Sequence, residues 1–145
     1  MAFIDLVLTD YETLRVFEAL QTLHATYQHH GRTRELQDLD AAVHGFLDQL
    51  QKHEEAREGR ANDPRDDLRF CVDRTALAAL RRTLDLVLPH ERQKTHLPPD
   101  KQARRLAALT SVADKLAKAA AVLVPVEDGL ADGSLRILGP DGSWL

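Results

Sequence analysis

The chain is short of the residues that most small-protein chemistry is built on. It has a single cysteine, Cys71, so neither an intrachain disulfide nor a cysteine metal cluster can be assembled. Aromatic residues make up only 5% of it, with one Trp, two Tyr and four Phe. The core must therefore be made mostly of Leu, Ala and Val, a composition suited to helix packed on helix. No apolar run reaches the length of about 18 residues that a membrane span needs. No basic segment precedes an apolar one at the N-terminus, where Asp5 and Asp10 interrupt the pattern. A cytoplasmic location and no membrane partner are the expectations. Nor is there a Gly-rich phosphate loop, a Walker pattern or a Ser/His/Asp order of the kind that nucleophilic hydrolases use.

The 145 residues are one domain's worth, enough to bury a core without staples. Two stretches organise it. Phe70-Cys71-Val72 leads through Asp73, a good N-cap, into an amphipathic helix with Leu77, Leu80, Leu84, Val87 and Leu88 at helical spacing. Leu6-Val7-Leu8 leads through Thr9-Asp10 into a second such helix carrying Val16, Leu20, Leu23 and Tyr27. Laying Asp10 on Asp73 brings Leu14 onto Leu77 and Phe17 onto Leu80. The expected fold is mainly α. It is a four-helix bundle of two similar helical hairpins, roughly 1–58 and 68–124, with a linker at 59–67 and a tail at 125–145. There is room for a small β element drawn from the N-terminus, residues 68–72 and the C-terminal hairpin.

Local signals set the boundaries. Thr9-Asp10-Tyr11-Glu12 fits a capping box, and the first helix should run from Asp10 to Gln28 before a His29-His30-Gly31 turn. The second helix starts near Thr33, with Leu36, Leu39, Val43, Phe46 and Leu50 forming a seam two heptads long. Pro89 should stop the third helix. Pro99 should open the fourth, and Pro125 should lie beyond its end. Leu109 and Leu116 join the predicted core, and Ala113 and Ala120 point to a close neighbouring helix.

Charge is segregated along the chain. Residues 1–70 hold 8 basic and 14 acidic groups, a net of −6. Residues 71–120 hold 10 and 5, a net of +5, and residues 121–145 hold 1 and 4, a net of −3. Such a dipole can pair its own halves, pair two copies, or present the basic part to an acidic partner. Lys101, Arg104, Arg105, Lys115 and Lys118 on the fourth helix are the candidate polyanion site. No aromatic residues interleave with them for base stacking, and the pI of 5.9 is low for a nucleic-acid module.

Two further constellations carry candidate chemistry. His29 and His30 lie in one hairpin turn, and His90 and His96 in or beside the other. An up-and-down bundle would gather them at one end as a Zn²⁺ or Ni²⁺ site or a pH sensor. Histidines in solvated loops are more often ligands of nothing, and no cofactor is expected. The run Glu54-Glu55-Ala56-Arg57-Glu58 resembles the EExxE element of MazG-like all-α nucleotide pyrophosphohydrolases. That resemblance implies a magnesium-dependent phosphohydrolase, whose site a second acidic pair on another helix completes. No ExxD pair follows downstream here.

With no complete catalytic constellation, the favoured reading is a non-enzymatic helical protein that acts by binding another protein, including its own copy. Ile137, Trp144 and Leu145 in the apolar tail are the candidate contact residues. Polyanion binding and metal-dependent phosphohydrolysis are the alternatives.

Overall fold

The computed structural model describes residues 2–57, 67–93 and 96–132. The order is β1 (Phe3–Thr9), α1 (Asp10–His29), α2 (Thr33–Arg57), β2 (Asp67–Asp73), α3 (Arg74–Arg92) and α4 (Pro99–Asp132). The protein is mainly helical, with four helices and one small sheet among the described residues. β1 and β2 pair antiparallel with Phe3 opposite Asp73, Leu6 opposite Phe70 and Thr9 opposite Asp67. The linker residues 58–66 and the tail from 133 on, with Ile137, Trp144 and Leu145, lie outside the described residues.

The period-two pattern of each strand decides which face is buried. Leu6, Leu8, Leu68, Phe70 and Val72 face the helices, and Phe3, Asp5, Arg69 and Cys71 face outward. The helices cross over between halves: α2 packs against β2 and α4 against β1. The Phe46 and Phe70 rings meet at 4.5 Å between centroids at the centre of the first contact. Leu39, Val43, Phe46, Leu50, Leu80, Leu84, Leu109 and Leu116 are all buried, as their spacing predicts.

The caps form as the sequence requires. Thr9 Oγ1 accepts the Glu12 N–H at 3.1 Å while the Glu12 carboxylate accepts the Thr9 N–H at 2.8 Å. Asp73 accepts the Ala76 N–H at 2.8 Å. After α1 the Arg32 N–H reaches the Tyr27 carbonyl and the Gly31 N–H reaches that of Gln28, a Schellman closure. It requires the left-handed φ of +66° that Gly31 adopts.

Three expectations are corrected. Neither Pro89 nor Pro125 ends its helix: α3 continues to Arg92 and α4 to Asp132. Each proline is exposed, and the carbonyl four residues back belongs to an exposed residue, Asp85 or Ala121. Water can take the bond that the missing N–H leaves open. The match between halves also moves by one residue. Leu14 is 52% exposed where Leu77 is 1% exposed. The two N-caps, Thr9 and Asp73, lie 64 residues apart, and at that displacement Leu6 falls on Phe70, Leu8 on Val72, Val16 on Leu80 and Leu20 on Leu84, all buried. The second helices match at a displacement of 66, with Val43 on Leu109, Phe46 on Val112 and Leu50 on Leu116.

Candidate interaction surface

The basic side of α4 is largely occupied by the protein's own carboxylates. Arg105 donates to Glu91 on α3 at 3.1 and 3.3 Å and to Glu18 on α1 at 2.6 Å. These two partners, Glu91 first, raise its pKa further above that of a free guanidinium. Lys115 Nζ lies 2.6 Å from Oε1 of the buried Glu12. Burial pushes the Glu12 carboxyl up, but Lys115, Ser111 and the Thr9 N–H together outweigh it and hold the group below the usual carboxylate range. Arg104 lies over the Tyr11 ring at 4.2 Å from its centroid, and Lys118 pairs with Asp114 one turn away. Lys101 is exposed and makes no ion pair with the described residues. Of the five candidate polyanion residues, only Lys101 is thus uncommitted.

The four candidate histidines are not brought together. The first hairpin turn sits beside the start of α3, since Tyr27 and Glu35 line one crevice with Thr75, Ala78 and Arg82. His90 lies at the other end of α3, 15 residues and about 22 Å of helix beyond Thr75. His29 and His30 contact each other edge to face at 5.1 Å, and His90 and His96 are exposed. The same-end geometry of an up-and-down bundle does not hold, because α1 crosses α3 head to tail. Among the described residues no three His, Cys, Asp or Glu side chains come together as a metal ion needs. Glu54 and Glu55 are exposed near the end of α2, and Glu58 lies outside the described residues. The described helices include none long and apolar enough to cross a membrane.

What remains open is apolar. A groove of about 300 Å³ runs between α1 and α2, lined by Phe17, Leu20, Leu39, Val43 and Leu47, with Gln21, His24 and Asp40 on its rim. His24 Nε2 stands 3.5 Å from the Asp40 carboxylate. Leu14, one turn before Phe17 on the same face of α1, extends the apolar strip into solvent. A crevice of about 280 Å³ lies on the other side of α2, floored by Leu23, Leu39, Ala42 and Ala79 and rimmed by Tyr27, Asp38 and Arg82.

The two outer edges of the sheet also differ. On β2, Gln49 of α2 accepts the Cys71 N–H at 2.6 Å and donates to the Cys71 carbonyl at 2.7 Å. His53, one turn on, donates Nε2–H to the Arg69 carbonyl at 2.8 Å. Two side chains at i and i+4 thus take both backbone groups of Cys71 and the carbonyl of Arg69. The equivalent positions on α4 are Lys115, which is turned to Glu12, and Ala119, which has no donor. Sequence reasoning missed this pair and the groove. The one available signal was Leu14, an apolar residue off the buried face of α1.

No family model, no curated protein and no solved structure matches this chain.

Proposed function

We propose that this is a non-enzymatic helical protein that works by holding another protein, its own copy included, in a regulatory or adaptor role. The observation that carries the reading is the apolar groove between α1 and α2 with Leu14 standing out beside it. A strip of this kind, rimmed by the polar groups of Gln21, His24 and Asp40, suits an amphipathic helix laid along it. The polyanion alternative draws less support, because Arg104, Arg105 and Lys115 are committed within the molecule. For the phosphohydrolase alternative, no second acidic pair joins Glu54 and Glu55 among the described residues.

A photo-crosslinking residue placed at Leu14 in living cells tests the reading. A protein adduct of discrete size, suppressed when Phe17 is also changed to Asp, is the expected result. Adducts only to nucleic acid favour the polyanion alternative. No adduct at all overturns the proposal.

A further inference from the structure

Among the described residues, nothing caps the outer edge of β1. Backbone bonding in an antiparallel pair alternates, so every second residue turns its N–H and C=O away from the partner strand. Cys71 turns both of its groups outward to Gln49, and Arg69 turns its carbonyl outward to His53. Their partners across the ladder are Asp5 and Val7, and Phe3 shares that parity. The amides and carbonyls of Phe3, Asp5 and Val7 therefore point away from β2, and no described residue bonds them. Thr9, at the end of the same row, is already taken, its N–H by Glu12 and its carbonyl by Thr13.

An edge in this condition is a template for another strand. Its surroundings are apolar. Phe3 is 57% exposed on the outer face. On α4, Lys115 reaches Glu12 at the end of β1, so that flank of the helix borders the strand. Ala119 and Val122 continue the flank at one and two turns, and Val122 is 58% exposed. Two of the four exposed large hydrophobic residues in the described chain thus frame one open edge. Asp5 is its single charge, and no proline interrupts it.

Resting on the reading of the protein as an interaction module, we propose that β1 pairs antiparallel with β1 of a second copy, forming a four-stranded sheet in the order β2-β1-β1-β2. A two-fold axis at Asp5 sets Phe3 opposite Val7 of the other copy, and Val7 opposite Phe3. This is a self-complementary contact in which the same patch serves both subunits. The two Asp5 carboxylates face each other, each with Arg69 of its own copy at 3.8 Å. Their repulsion keeps the dimer weak.

Sedimentation equilibrium on the full chain, up to on the order of 100 µM for a weak contact, gives the association. Amide exchange at Asp5 and Val7 is followed over the same range. Val7→Pro removes an outward N–H that the β1–β2 ladder does not use. Val7→Lys serves as a second variant should the proline unfold the strand, with circular dichroism confirming the helices. The expected result is a dimer that both variants weaken roughly tenfold or more and that Asp5→Asn tightens, since like charges directly opposite repel. The Asp5 and Val7 amides become protected as concentration rises.

A dimer indifferent to both Val7 variants, with those amides exchanging fast, overturns the proposal and leaves the interaction reading to the α1–α2 groove. A monomer at every concentration overturns it too, and crosslinking from Leu14 then decides the interaction reading alone. Protected amides in a monomer mean that the chain covers its own edge, and Asp5→Asn weakening the dimer means an opposing group of positive charge. Either result overturns the pairing.

Discussion

The two junctions where a first helix, a second helix and the opposite half meet are made from equivalent positions and filled in opposite ways. At one of them Leu39, Tyr27 and Arg82 line an open crevice. Displaced by 66 residues for the second helix and 64 for the first, the same positions at the other junction are Arg105, Glu91 and Glu18. There the guanidinium binds both carboxylates. Tyr11 and Arg15 at the filled junction stand where Thr75 and Ala79 stand at the open one, and the Tyr11 ring is covered by Arg15 and Arg104. One junction thus carries a charged plug and the other an open crevice with an apolar floor. The lesson concerns the charge segregation of the chain. Arg105 and Lys115 on α4 meet acidic groups of α1 and α3, while the open groove and crevice beside α2 are lined mostly by apolar side chains.

The sharpest break between the halves should come in the core under the sheet. Phe46 lies on Phe70 beneath β2, and the equivalent residues under β1 are Val112 and Leu6. Both inner residues are fully buried, so truncation leaves a cavity in each case. Phe46→Ala should cost about 3–5 kcal/mol. Val112→Ala, which loses two methyl groups, should cost about 2 kcal/mol. Chemical denaturation of the two variants measures the difference. Equal costs would mean that the ring pair is not the larger of the two contacts.

Arg105→Leu makes the filled junction resemble the open one and should come next in size. Glu91 is buried, and losing the guanidinium takes two hydrogen bonds from its carboxylate, whereas Glu18 is exposed enough to turn to water. Breaking a buried pair costs about 3–5 kcal/mol in the driest sites; about 2–3 kcal/mol is expected for this partly wet one. Pairing Arg105→Leu with Glu91→Gln should recover part of the loss. If Arg105→Leu is neutral in denaturation, the network is decoration on a junction held by its apolar contacts.

How much of this was legible in the sequence follows from range. The capping box at Thr9, the Asp73 cap, the Gly31 closure and the Leu39-to-Leu50 seam are set by neighbours within a turn or two, and each forms as read. The strand pair was legible because each half opens on a short apolar lead, Leu6-Val7-Leu8 or Phe70-Cys71-Val72, just ahead of a helix cap. The prolines misled because the sequence does not say which side of a helix faces water, and on that side a lost bond is cheap. The match between halves was misplaced by one residue because Asp10 and Asp73 look alike, although only Asp73 is a cap. The Arg105 network was illegible, since its partners stand 14 and 87 residues away and only the crossing of α1, α3 and α4 brings them together. Candidate contact residues Ile137, Trp144 and Leu145 fall outside the described chain and contribute nothing to this comparison.

The smallest effect separates the two sheet edges. Gln49 makes two short bonds to the Cys71 backbone, and it also donates to the Gly45 carbonyl of its own helix. Gln49→Ala removes the cap from Cys71 and leaves His53 on the Arg69 carbonyl, so this part of the edge comes to resemble β1 among the described residues. The site is open enough for water to replace the lost bonds, so the cost should be about 1 kcal/mol, the net worth of an ordinary hydrogen bond. Local exchange reports more than global stability does here. The Cys71 amide should lose protection in the variant, while the Phe70 amide, committed to β1, should keep it. If the Cys71 amide exchanges as fast in the wild-type chain as in Gln49→Ala, the side-chain cap does not hold in solution. The two edges are then alike, and the asymmetry that singles out β1 disappears.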